Sequence, residues 1–238
     1  MSDTCVLDLS VVIPAYNEER RLPDTLRGWQ AFLGQQSYSA ELLVVDDGSR
    51  DATAGVAEAT GVRVLRLDRN QGKGGAVRVG MLDAVGDVIG YVDADMNVDP
   101  AYVGQVLEYL AHGADVVIGS RALASYASAE GFSRMLAGGL VQIMRRTLLI
   151  PTIRDTQCGF KFFRRSAAHH VFERCRIRSF AFDIEALFIA RKLGACIVEL
   201  PVSTTYRAES TFDVRRHLPR LLADIIQIRR NDLAGLYG

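Results

Sequence analysis

Five times within the first 120 residues, a short apolar, β-branched run gives way to a polar turn and then to helical spacing. That alternation, with short joins, is the signature of an α/β fold: a Rossmann-like, mostly parallel sheet with helices on both faces. The strands are read at Leu9–Pro14, Ala40–Val45, Arg63–Leu67, Val88–Val92 and Asp115–Gly119. The first helix is read at Pro23–Gln36, where Leu22, Leu26, Trp29 and Leu33 fall on one face. The second runs to Ala59 with Asp51 as its N-cap, the third from the Asn70–Gly75 loop to Val85, and the fourth over Pro100–His112. In such a sheet ligands sit at the carboxyl ends of the strands, and the reactive side chains here fall at those ends.

The run from Gly86 to Asn97, Gly-Asp-Val-Ile-Gly-Tyr-Val-Asp-Ala-Asp-Met-Asn, is the centre of this pattern. Val88 to Val92 reads as a buried strand, and Asp93, Asp95 and Asn97 come after it at i, i+2 and i+4. In an extended backbone the three side chains share a face and converge. Two carboxylates and an amide oxygen suit Mg²⁺ or Mn²⁺ with positions left open for phosphate oxygens. Two aspartates can also simply end a strand, with Asp99-Pro100 starting the next helix.

Asp46-Asp47-Gly48-Ser49 reads either as a turn or as a site where Asp47 accepts from the base of a bound nucleotide. Asn70-Gln-Gly-Lys73-Gly-Gly can bring backbone and an ammonium to phosphate, or be a solvated loop that starts a helix. It is not a Walker A loop, and the loop after the first strand, Pro14-Ala-Tyr-Asn, is not a dinucleotide G-x-G-x-x-G, so hydride transfer loses its main support. That loop also lacks the glycines and lysine of a sugar nucleotidyltransferase.

Charge divides the chain. Residues 1–120 carry 9 Lys/Arg against 18 Asp/Glu, residues 121–178 carry 11 against 3, and the remainder 8 against 7. An acidic front that can hold a metal thus meets a basic middle that can hold anions, with Arg121, Arg134, Arg154 and Lys161 the candidates for gripping phosphate. The pI near 6.9 argues against a general nucleic-acid binder. Cys5, Cys158, Cys175 and Cys196 form no C-x-x-C pair, which favours reduced thiols in a cytosolic setting. No run of about 18 apolar residues marks a membrane span. Leu136–Ile150 and the basic amphipathic segment Val214–Leu236 read either as peripheral membrane contacts or as helices covering the core. Further helices are read from Ser166 and Phe182, and a strand at Cys196–Leu200. Residues 1–205 read as one domain and 206–238 as a helical extension.

Five signatures occur in order: Val-Val-Ile-Pro-Ala-Tyr-Asn-Glu-Glu, Val-Val-Asp-Asp-Gly-Ser-Arg-Asp, Asn-Gln-Gly-Lys-Gly-Gly-Ala, Asp-Ala-Asp-Met-Asn and Ile-Gly-Ser-Arg. Over residues 9–205 the chain resembles the inverting family-2 glycosyltransferases of the GT-A fold. Arg154-Asp-Thr-Gln-Cys-Gly-Phe-Lys and Phe-Ala-Phe-Asp-Ile-Glu resemble the dolichyl-phosphate glucosyltransferase branch, with the mannosyltransferase branch its near relative. The resemblance implies that Pro14, Ala15, Tyr16, Glu18 and Asp47 line the nucleoside, with Lys73 and Ala94 also at the nucleotide. It implies Asp93 and Asp95 as the metal motif with Asn97 a further ligand, and Arg121 and Arg134 near the acceptor phosphate. Asp155 joins the expected catalytic set.

The activity so implied is transfer of a hexose, glucose before mannose, from UDP-glucose or GDP-mannose to a polyprenyl phosphate at the cytosolic face of a membrane. A phosphate acceptor is already ionised near neutral pH and needs no strong base. A soluble enzyme acting on a small-molecule or protein hydroxyl is the alternative, and would need Asp155 or Asp183 as base.

Overall fold

The computed structural model describes residues 7–124, 152–204 and 214–238. Seven strands form one sheet: β1 (Leu7–Ala15), β2 (Ala40–Asp46), β3 (Arg63–Arg66), β4 (Gly86–Val92), β5 (Val116–Ser120), β6 (Phe160–Arg164) and β7 (Ile197–Pro201). Their order is β3-β2-β1-β4-β6-β5-β7. β1 pairs in parallel with β2 and β4, β2 with β3, and β5 with β7. The helices are α1 (Leu22–Leu33), α2 (Thr53–Glu58), α3 (Lys73–Asp83), α4 (Val103–Ala111), α5 (Arg121–Ala124), α6 (Arg165–Arg174), α7 (Phe182–Lys192) and α8 (Val214–Leu233).

The pleat sends alternate residues of each strand to opposite faces, and the two cores obey it. Val11, Ile13 and Val44 pack with Leu26 and Trp29 of α1 and Val106 of α4. Val12, Leu43 and Val45 pack on the other face with Val77 of α3, Phe172 of α6 and Leu187 of α7. Helices thus cover both faces, as the alternating pattern requires.

β6 departs from the expected order. The sequence reading places no strand around Phe160, only a helix from Ser166. Phe160–Arg164 is instead a buried strand wedged between β4 and β5 and antiparallel to both, with Val92 opposite Phe160 and Ile118 opposite Lys161. Gly90 permits the fit, since a Cβ there would overlap the Phe162 ring. The orientation matters for the site: an antiparallel strand begins where its neighbours end. The Asp155–Gly159 segment is therefore delivered to the carboxyl edge of the sheet, beside Asp93 and Ser120.

The C-terminal segment is docked, not detached. Ile225, Ile228 and Tyr237 are fully buried in the core beneath α7. The Tyr237 hydroxyl donates to Glu185 Oε1 at 2.5 Å and accepts from Asn231 Nδ2 at 3.0 Å. Ile226, Leu233 and Leu236 remain exposed on the outer side. Among the described residues no helix is long and apolar enough to cross a membrane. Leu136–Ile150 lies outside the described residues.

Candidate active site

The sheet order reverses between β1 and β4, and the crevice outside that reversal is where an open α/β sheet binds its ligand. The loop leaving β1 is pinned to the loop leaving β2. Asn17, with φ +54°, donates its N–H to Ser49 Oγ at 3.0 Å and accepts from the Arg50 N–H at 2.9 Å. The Glu18 N–H donates to Thr53 Oγ1 at 2.8 Å. Pro14 and Ala15 close β1, and Tyr16 stands half-exposed beyond them. Glu18 is held in a two-point ion pair with Arg21, at 2.7 and 2.6 Å.

Asp47 is buried, and its two oxygens accept from the backbone N–H groups of Gln71 and Gly72 at 2.6 and 2.9 Å. Burial raises its pKa, and these two bonds oppose the rise. The residue therefore clamps the Gly-rich loop. The sequence points to it as a reader of the nucleoside base, and in this structure it joins two loops.

The turn after β4 carries the paired carboxylates. The backbone is not extended there: residues 94–95 form a turn and Met96 sits at φ +51°. Asp93, Asp95 and Asn97 still share one cleft, through the turn and not through strand alternation. Asn97 Nδ2 donates to Asp95 Oδ2. The Asp93 N–H donates to the Gly159 carbonyl at 3.1 Å, and a Cβ on Gly159 would overlap the Asp93 carboxylate. Lys73, the first residue of α3, places Nζ 2.5 Å from Asp93 Oδ1. Its ammonium also stands 5.8 Å from the Phe180 ring and 6.0 Å from Phe182.

Electrostatics separates the two aspartates. Burial works against the Asp93 charge, but Lys73, with Lys161 and Arg121 behind it, holds the carboxyl below its usual range. Asp95 is raised, by burial first and by the Asp93 charge second. A dication would relieve that repulsion, and the donor set of two carboxylates and an amide is hard oxygen. Among the described residues no group of three His, Cys, Asp or Glu stands together as a complete cage. The donor set fits a divalent ion that leaves positions open for a ligand's oxygens.

Opposite the turn, Arg121 begins α5 at the end of β5. It grips Asp155 at two points, Nε to Oδ2 at 2.8 Å and Nη2 to Oδ1 at 3.0 Å, and adds its own N–H at 3.1 Å. Burial opposes the Asp155 charge, and Arg121 more than offsets it, leaving this carboxylate a weak base. The Arg154 and Asp155 N–H groups both donate to Glu199. The Arg154 side chain is exposed, and Arg134 lies outside the described residues.

Lys161 corrects the sequence reading. Expected at an acceptor phosphate, it is fully buried, with Nζ donating to Asp183 Oδ1 at 2.5 Å and to the Cys158 carbonyl at 2.6 Å. The Tyr91 hydroxyl donates to the same Asp183 oxygen at 2.5 Å. This pair lies behind Asp93, close enough to act on its charge, and fixes the Cys158–Gly159 corner against it. Desolvation pushes the Cys158 thiol up to about 12. Sequence reasoning missed Gly159, Asp183 and Glu199 as supports. The one signal was a lysine set inside the aromatic run Phe160-Lys-Phe-Phe.

The cleft between turn and arginine is open to solvent. A sheet of this order, with a cleft at the carboxyl ends of β4 and β5 that holds paired carboxylates and an arginine, belongs to the open α/β class that binds ligands at that edge. The sequence pattern described as Glycosyl transferase family 2 matches residues 10–172. A dolichyl-phosphate beta-glucosyltransferase of Dictyostelium discoideum is 34% identical over 249 residues, covering 96% of this chain and 76% of its own. The protein of that name from Drosophila melanogaster is 40% identical over 226 residues, covering 86% of this chain and 69% of its own. Among solved structures, mannosyl-3-phosphoglycerate synthase from Rubrobacter xylanophilus superposes with a TM-score of 0.70 at 23% identity, over 96% of this chain and 75% of that one. Glucosyl-3-phosphoglycerate synthase from Mycobacterium tuberculosis, solved with Mn²⁺, UDP and phosphoglyceric acid, gives 0.69 at 21% identity, over 98% and 79%. At such identity these two bear on the fold alone, which is GT-A. The chain belongs to glycosyl transferase family 2, and it is a glycosyltransferase.

Proposed function

We propose that this chain transfers glucose, with inversion, from UDP-glucose to a polyprenyl phosphate of the dolichyl type, with Mg²⁺ or Mn²⁺ bound at Asp95. The sugar and the acceptor class are those in the names of its relatives at 34% and 40% identity. The observation that carries the reading is the state of the carboxylates. Asp155 is tied to Arg121 and Asp183 to Lys161, the two carboxylates that a hydroxyl acceptor would need as base. With both engaged, the cleft suits an acceptor that arrives already as an anion, and suits a hydroxyl poorly.

Residues at the ends of β1 and β2 hold the nucleoside, with Tyr16 the exposed aromatic available to it. Asp95, with Asn97 beside it, would hold the dication, which supplies neutralisation of charge on the leaving diphosphate. Lys73, paired with Asp93 at 2.5 Å, is the ammonium that would turn to the same phosphates. Arg121 orients the acceptor phosphate. One acceptor oxygen bonds to the anomeric carbon as the bond from that carbon to the diphosphate breaks. The electron pair leaves with UDP, and no proton is moved. The membrane contact we propose is the outer side of α8, where Ile226 and Leu233 are exposed near Arg229 and Arg230, with Leu236 just beyond the helix.

The test is nucleoside diphosphate release from UDP-glucose and from GDP-mannose, with and without a polyprenyl phosphate. Release of UDP that requires the lipid phosphate, with a β-linked product by NMR, is the expected result. Equal turnover with free sugars or water would overturn the acceptor, and a GDP preference would overturn the donor.

A further inference from the structure

Lys73 opens α3 directly after the Gly-rich loop proposed to meet the nucleotide's phosphates, yet its ammonium is spent on the first carboxylate of the turn. The contact is close, 2.5 Å, and it is enclosed: the Lys73 side chain is 21% exposed and that of Asp93 33%. Gly159 closes one side of Asp93, and the rings of Phe180 and Phe182 flank the ammonium. Gly72, at φ +84°, precedes the lysine. Asp93, Asp95 and Lys73 together carry a net charge of −1, where the two aspartates alone would carry −2.

We infer that Lys73 is an internal counter-ion that occupies Asp93 until a nucleoside diphosphate draws it away, so that this ammonium adds its own share to the coupling of divalent-cation and nucleotide binding, beyond what direct contact of cation and phosphate supplies. The inference rests on the proposed nucleotide and metal chemistry and deepens it. A dication approaching Asp93 in the ligand-free protein meets a like charge already seated there. A diphosphate offers the ammonium several charged acceptors and leaves Asp93 open to the metal. Each ligand then raises the affinity for the other by the same factor, because a binding coupling is reciprocal. The lysine also has a structural consequence: without any ligand, the turn does not hold two unbalanced carboxylates side by side.

The experiment measures Mn²⁺ binding by the EPR signal of the free aqua ion, without any turnover. It compares the unmodified chain with Lys73→Met, Lys73→Gln and Lys73→Arg, each alone and each saturated with UDP. Removing the charge is expected to tighten Mn²⁺ binding to the ligand-free protein by about tenfold, the usual scale of such a coupling. The gain from adding UDP should shrink correspondingly, and Lys73→Arg should behave as the unmodified chain. Two neutral replacements are used so that a folding defect in one, read by circular dichroism, leaves the other. Unchanged Mn²⁺ affinity in a folded neutral variant overturns the counter-ion role alone. Failure of the unmodified chain to bind Mn²⁺ even with UDP overturns the metal reading, and the coupling with it.

Discussion

Gly159 and Lys161 frame Asp93 from two sides, and their substitutions separate position from stability. A methyl group on Gly159 would push into the Asp93 carboxylate, while the surrounding strand ends need not move. Gly159→Ala is therefore expected to lower kcat/KM by roughly 10²-fold, the scale of a misplacement of about 1 Å, with little change in Tm. Lys161→Met does the reverse. It strands Asp183, whose side chain is 4% exposed, without its cation. Removing one partner of such a pair costs about 3–5 kcal/mol, measurable by urea unfolding, whereas the double change Lys161→Met with Asp183→Leu should recover much of it. The carboxylates Asp93 and Asp95 are legible in the sequence as residues but not in their geometry. Alternation along a strand predicts their convergence, and a turn at Met96 is what brings it about. Lys161 is misread from sequence because a lysine in a basic region looks like a surface charge. Its partner lies 22 residues further on, on another helix, where no spacing rule reaches.

Most elements are readable because their own residues determine them. The β-branched runs of β1, β2, β4 and β5 and the apolar stripe of α1 fall within a few residues of where periodicity puts them. Asp99 accepts from the Ala101 N–H as the N-cap reading requires. Asp51 accepts from the Thr53 N–H but stands one residue ahead of the cap, Ala52. β6 is not readable, since Phe160-Lys-Phe-Phe-Arg keeps neither strict alternation nor helical spacing and its partners β4 and β5 lie far away in sequence. The C-terminal element gives the prediction at this scale. Tyr237 hangs from Glu185, whose other oxygen accepts from the Arg176 and Ile177 N–H groups at 2.9 and 2.8 Å. Tyr237→Phe leaves that buried carboxylate one donor short. A loss of about 1–3 kcal/mol is expected, together with faster proteolysis after α8. Unaltered protease resistance would show that packing of Ile225 and Ile228 alone holds the segment.

At the scale of the molecule, fold and chemistry divide at Arg121. The chain up to that residue is a regular α/β winding that supplies the side of the cleft proposed for the nucleotide. The chain beyond it returns through β6 and supplies the side proposed for the acceptor. The family is legible from the first part, where signatures are local and in order. The supports of the second part are not, because Glu199, Asp183 and Gly159 act across the sheet on residues far away in sequence. The position of β6 also bears on how the chain is made. Among the described residues, β5 pairs only with β6 and β7, both of which are synthesised after it. Its last residue, Ser120, precedes Phe160 by 40 residues, a delay on a ribosome of roughly 2–8 s. For that interval the nascent chain carries the β3-β2-β1-β4 platform complete, and beside it an apolar strand with nothing yet made to receive it.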